Sequence, residues 1–176
     1  MNCRRTYHRF ALLTFAALLA PSSWAEIPSA ADACVDDLVE TTPSSDFTTL
    51  EGGAVVRHES TGLEWRRCPE GMDWTDGSCA GSADRMNWQG ALQHADGVEG
   101  WRLPNINELR SIVERCGTNP AINPEVFPDT PPSVFWSASP AAGNSDYAWN
   151  VYFGYGRDGW NLKGTDLRLR LVRGGQ

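Results

Sequence analysis

The sequence predicts an α+β domain built from a β-hairpin, two helices, a long Pro-rich loop and a Trp-rich antiparallel sheet. Three observations carry that prediction. Short runs with β-branched or aromatic residues, separated by Gly-containing turns, lie near residue 60 and again after residue 133. Two segments between them place apolar residues at helical spacing. Residues 118–134 hold five of the eleven prolines, too many for a helix or a central strand. With 176 residues, of which 41% are hydrophobic and 21% charged, one domain with extensions is the natural count. A disordered or fibrous chain is excluded by the same composition.

The chain opens with Arg4, Arg5 and Arg9, then an apolar stretch from Phe10 to Ala20, then Ser23 and Ala25 as small residues before Glu26. This three-part pattern predicts a secretory signal peptide over residues 1–25. The apolar run is too short for a comfortable membrane span, and a lipid-anchor cysteine would have to follow it directly, whereas Cys34 lies well beyond. Cleavage would leave 151 residues with 12 basic and 22 acidic side chains, a net charge of −10. That balance argues against nucleic acid as a partner. There is no second hydrophobic segment to span a membrane.

Four cysteines would remain: Cys34, Cys68, Cys79 and Cys116. An even count in an exported chain predicts two disulfides, with three connectivities open. The turn-rich Pro69-Glu70-Gly71 and Asp76-Gly77-Ser78 favour Cys68–Cys79, which leaves Cys34–Cys116 to staple the N-terminal extension to the body. By loop entropy the two would contribute roughly 3 and roughly 4.5 kcal/mol. Zinc or dithiol redox chemistry would need closer pairs such as C-x-x-C.

Residues 26–50 read as an extended lead-in rich in Ser, Thr, Pro, Ala and Asp. Val55 to Glu59 and Leu63 to Arg67 flank Ser60-Thr61-Gly62 and make the hairpin. Asp84 is a candidate cap for a first helix whose stripe is Trp88, Ala91, Leu92 and Ala95, ended by Gly97 and Gly100. A second helix starts at Asn105 with Glu108 as a capping-box partner. Its stripe is Ile106, Leu109, Ile112, Val113 and Cys116, and Gly117 stops it. After the Pro-rich loop come strands at Val134–Ser137, Tyr147–Phe153, Trp160–Lys163 and Leu167–Val172. In the last, Leu167, Leu169 and Leu171 alternate with Arg168 and Arg170, which predicts leucines inward and both guanidiniums outward.

Six segments occur in a recognisable order: "STGLEWRRC", "NWQGALQHA", "GWRLPNINEL", "FWSAS", "AWNVYFGYG" and "LRLVR". Together they resemble the Lcl C-terminal domain family, named for the C-terminal domain of a bacterial collagen-like adhesin, over residues 51–173. The family is distantly similar to C-type-lectin-like and formylglycine-generating-enzyme-like domains. The resemblance implies an exported binding domain with an adhesion-type role and sulfated glycans as a ligand class. No Gly-x-y collagen tract is present, so nothing here enforces trimerisation, though a homo-oligomer is compatible with the sequence. Residues 157–176 carry five basic side chains against two acidic ones. That Arg-rich end would suit a sulfate or carboxylate, unless its arginines pair internally.

Other chemistry finds little support. Gly154, Gly156 and Gly159 spell G-x-G-x-x-G, but no helix follows, so a hairpin turn is expected rather than a dinucleotide site. Trp149-Asn150 lacks the acidic residue of a calcium-dependent sugar site, Asn123-Pro124-Glu125 has the wrong order, and Asp73 to Gly77 the wrong spacing. His58 on a strand and His94 on the polar side of the first helix accompany no catalytic motif, and no cysteine follows Cys116. The chain is read as non-catalytic and without a cofactor.

Of the seven tryptophans beyond residue 25, Trp65, Trp88, Trp101, Trp136 and Trp149 are assigned to the core, since they lie in the family segments. Tyr152, Tyr155, Arg157, Trp160, Asn161 and Lys163 around the Gly-rich turn form the candidate ligand-binding patch. The functional expectation is recognition of a glycan or a cell-envelope partner, in the periplasm, at the cell surface or outside the cell. A subunit that binds only protein and a divergent formylglycine-generating-type enzyme stand as alternatives.

Overall fold

The structure is a computed structural model that describes residues 39–175. The signal segment and Cys34 lie outside the described residues. The elements are β1 (Phe47–Leu50), β2 (Val55–His58), β3 (Leu63–Arg66), β4 (Met72–Thr75), β5 (Ser78–Gly81), α1 (Trp88–Asp96), α2 (Ile106–Arg110), β6 (Val134–Pro140), β7 (Tyr147–Tyr152), β8 (Arg157–Leu162) and β9 (Val172–Arg173). They form a four-stranded sheet in the order β1-β2-β3-β9, a separate β4–β5 hairpin, and a three-stranded sheet β6-β7-β8. All strand pairs within these sheets are antiparallel. The architecture is therefore α+β, as the alternation of hairpins and helical stripes predicts.

The β6–β7 pair is covered on both faces, which is why its sequence reads as nearly continuous apolar residues. Phe135 and Val151, opposite each other, enter a core with Trp65, Leu109, Ile112, Phe127 and Phe153. Trp136 and Ala148 point the other way, into a second core with Ala91, Ala95, Leu103, Leu169 and Leu171. Trp65 and Trp136 are fully buried. At about 25 cal/mol per Å2 each such indole contributes roughly 4–6 kcal/mol of transfer free energy.

Segment 167–173 joins the two sheets. Its backbone exchanges bonds with Met86 and Arg102 on the helical side. The backbone N–H groups of Glu70 and Arg66 donate to its Leu169 and Leu171 carbonyls, and that of Trp136 donates to the Arg168 carbonyl. Leu167, Leu169 and Leu171 are buried as the alternation predicts. Arg170 is not on the outer face, however. It has no exposed surface, because its guanidinium turns inward to donate to the Arg66 and Arg67 carbonyls and to Thr130 Oγ1, above the Phe127 ring.

The helix boundaries also differ from expectation. The first helix is capped by Asn87, whose side chain accepts from Gly90 N at 2.8 Å. Asp84 precedes the extended Met86–Leu167 bridge, so no helix can begin there. The capping box at Asn105 and Glu108 is present, but α2 ends at Arg110 rather than running to Cys116. Ser111 Oγ donates back to the Glu108 carbonyl. The Glu114 carboxylate is occupied by the backbone and hydroxyl donors of Thr41 and Thr42 and by Cys116 N. Burial pushes the Glu114 carboxyl up, but these donors outweigh it and hold it below the usual range. Ile112, Val113 and Cys116 are still buried; the stripe is real and the helix through it is not.

Three strands escape the sequence reading. Phe47–Leu50 lies within the segment read as lead-in, yet it pairs with β2. The turn-rich loop between Cys68 and Cys79 is itself the β4–β5 hairpin, and those two cysteines are bonded as expected. Cys116 is disulfide-bonded; Cys34, its expected partner, lies outside the described residues. The Pro-rich loop is irregular, as predicted. Its Glu125 and Val126 carbonyls accept from the Arg67 guanidinium, which also reaches Gly53 O and stacks on Trp74 at 4.2 Å.

Two predictions follow from these contacts. Cleaving Cys68–Cys79, by reduction or by a paired Cys→Ser change, frees an 11-residue separation. It should cost about 3 kcal/mol in denaturant unfolding; an unchanged midpoint would contradict this. His58 is buried, stacked on Phe47 with centroids 4.6 Å apart, and bonded to Ser60 and Thr61. Burial lowers its pKa below 6.5 despite Asp46 and Glu59. The unfolded chain thus binds a proton more readily, so the stability tied to neutral His58 is complete above about pH 6.5 and falls as pH drops toward the lowered folded value. The His58→Phe variant should flatten the stability profile below about pH 6.5, and an unaltered slope would refute it.

Candidate functional site

β8 is the outer strand of its sheet, and its alternation decides which side chains share a face. Trp160 lies opposite Trp149, Leu162 opposite Tyr147, and Asp158 opposite Val151. Because Val151 enters the Phe135 core, this is the face on which α2 packs. There Trp149 and Trp160 meet edge to face at 5.3 Å. The Arg110 guanidinium lies 5.7 Å from the Trp149 ring and pairs with Asp158. Trp160 is 61% exposed and Leu162 52% exposed, so the contacts that orient Trp160 leave most of it in solvent.

The opposite face carries Arg157 beside Tyr152, Gly159 beside Asn150, and Asn161 beside Ala148. Asn161 Oδ1 accepts from the buried Asn150 amide at 2.9 Å. Lys163, just past the strand, lies 4.3 Å from the Trp88 ring on α1. At the β7–β8 turn Tyr155, 65% exposed, meets Tyr152 edge to face at 5.4 Å.

The six candidate residues therefore share the β7–β8 hairpin but not one surface. Tyr152, Tyr155 and Arg157 gather at the turn, and Asn161 and Lys163 lie toward the far end of that side. Trp160 stands on the other face with Leu162. Arg157 forms no ion pair among the described residues.

The Gly-rich string is structural. A Cβ at Gly154 would fall 2.3 Å from the Tyr152 ring, and Gly156 has φ +65 with Val113 where its Cβ would be. The string turns a hairpin, as its context predicts.

The C-terminal arginines do not form a common anion-binding face. Arg173 bonds Glu51 and Glu64, Arg168 donates to Ser133, and Arg170 is buried. Their spacing in sequence suggested a cluster, whereas each is taken up by its own partner.

Trp149 belongs to the exposed assembly rather than to the core, being half-buried on the sheet's outer portion. Its place in a strand two residues from Val151 was the available signal, but a strand packed on both faces near one end and open at the other has no single burial period. Arg110 carried no sequence signal at all, because its role depends on α2 lying across β7. Trp88 and Trp101 are also half-buried. Trp88 Nε1 donates to Ser137 O at 2.8 Å, and Trp101 sits between the guanidiniums of Arg66 and Arg173. No group of three or more metal-ligating side chains occurs among the described residues.

The model of the Lcl C-terminal domain matches residues 54–173. The chain belongs to the Lcl C-terminal domain family. Membership supports an adhesin-like domain as the coarse functional statement, and the α1, α2 and β6–β8 elements lie inside the matched span. No curated protein matches the chain. One solved structure, described as the crystal structure of EMS16, an antagonist of collagen receptor integrin alpha2beta1, is 15% identical with a TM-score of 0.34. The match covers 60% of this chain and 98% of that one. The Cys68–Cys79 disulfide fits an exported Lcl-type domain, and no helix among the described residues is long and apolar enough to cross a membrane.

Proposed function

We propose that the protein is an exported, non-catalytic binding domain in an adhesion-type role, released by cleavage after Ala25, that recognises a glycan or a cell-envelope partner through the β7–β8 region. The observation that carries this reading is the exposed aromatic surface there. Tyr155, Trp160 and Leu162 are, with Val39, the large hydrophobic side chains most open to solvent among the described residues. Trp160 is held by Trp149, which Arg110 braces in turn. A pre-positioned indole of this kind loses little conformational entropy when a sugar ring or a partner's side chain stacks on it. On the other side of the strand, Arg157 and Lys163 add charge that a sulfated or carboxylated ligand would meet. Membership of a family named for an adhesin supports the same role.

Leu162 beside Trp160 also suits a protein surface, since interface anchors combine aromatic and aliphatic contact. Binding to a glycan array, with and without calcium, against pull-down from envelope extract separates the two partners. In either assay Trp160→Ala should weaken binding by about tenfold or more while leaving the melting temperature unchanged. Unchanged binding would remove Trp160 from the site, and a large drop in melting temperature would make it a packing residue instead.

A further inference from the structure

A cleft of about 500 Å3 lies away from β8, among the first sheet, the β4–β5 hairpin and α1, with Arg66, Glu70, Asp73, Trp74, Asp84 and His94 along its walls. Its size falls within the roughly 300–1,000 Å3 typical of small-ligand sites. Glu70, only 5% exposed, organises it. Its carboxylate accepts from Arg66 Nη1 at 3.1 and 3.2 Å and meets His94 Nε2 at 2.7 Å. Arg66 is further held at 5.2 Å from the Trp101 ring, which also lines the cleft.

At the rim, the Asp84 carboxyl packs on bare backbone. Gly71 has φ +86, and a Cβ there would stand 2.5 Å from the Asp84 carboxyl carbon. The Trp74 wall is fixed by its indole bond to Gly52 O and by the Arg67 stack.

Donors and acceptors left over by this network alternate. Arg66 Nε and Nη2 have no hydrogen-bond partner among the described residues, and neither do the Asp73 and Asp84 carboxylates or His94 Nδ1, which is an acceptor while Nε2–H is given to Glu70. An anion would satisfy the first group and be repelled by the second; a cation would do the reverse. A hydroxyl both donates and accepts, so a ring bearing several hydroxyls meets both groups at once. Its apolar C–H faces suit the indole walls.

We propose that this cleft is a subsite for a neutral sugar ring. The ring hydroxyls donate to Asp73, Asp84 and His94 Nδ1 and accept from Arg66 Nε and Nη2. The proposal rests on the binding-domain reading for its ligand class but uses none of the β8 residues, so the two fail separately.

The test is titration of the mature domain with cellotriose, maltotriose and chitotriose, and separately with a heparin-derived oligosaccharide, following the indole N–H resonances of Trp74 and Trp101. At least one neutral trisaccharide should shift both resonances saturably, with a dissociation constant of about millimolar order. Asp73→Ala and Asp84→Ala, both exposed positions, should each weaken that binding about five- to tenfold, and Trp160→Ala should leave it unchanged. The proposal is overturned if no neutral trisaccharide shifts these resonances, if the two Asp variants bind as tightly as wild type, or if the heparin oligosaccharide binds the cleft in preference. Loss of all saccharide binding in Trp160→Ala, with the Asp variants unaffected, would also overturn it and leave the β8 reading standing.

Discussion

The buried guanidinium of Arg170 is the constraint on which the rest of the molecule depends. Burial pushes it down to about 9, with Glu70 opposing the shift and Arg67 adding to it, so at neutral pH it remains a charge without solvent. Desolvating such an ion is costly. The offset comes from donation to the Arg66 and Arg67 carbonyls and to Thr130, and from the Phe127 ring 4.8 Å away. Those partners come from the end of β3 and from the Pro-rich loop, while Arg170 itself belongs to the segment that bridges both sheets. One side chain thus ties the Pro-rich loop, which joins no strand ladder, to the paired β3 and 167–173 segments.

Arg67 repeats the solution nearby. Five prolines in residues 118–134 remove backbone donors, and the loop's carbonyls still need partners where water is excluded. Arginine supplies several donors on one planar group and so replaces the missing ladder. The same guanidinium stacks on Trp74, which lines the cleft.

Much of the fold was legible in the sequence because its signals are local. The hairpin at Val55–His58 and Leu63–Arg66, the Asn105–Glu108 capping box and the alternating leucines each depend on residues a few positions apart. What could not be read depends on distant partners. Alternation places Arg170 outside, and only the carbonyls of Arg66 and Arg67 draw it in. The stripe through Cys116 suggests a long helix, but Glu114 turns its carboxylate to Thr41 and Thr42, more than 70 residues away. The same division runs through the candidate sites. Trp160 and Tyr155 announced themselves by their place beside a Gly-rich turn. Glu70, buried between Arg66 and His94, gave no sign of being more than a loop residue, and His94 read as an ordinary polar position on a helix.

The most direct measurement is the unfolding free energy of Arg170→Met beside wild type in chemical denaturant. Methionine fills similar space and relieves the buried charge, but it leaves two carbonyls and a hydroxyl without their donor. The account predicts a loss of about 3 kcal/mol or more. A variant as stable as wild type would show that the guanidinium is merely tolerated, and that the sheets and the Pro-rich loop are held together by something else.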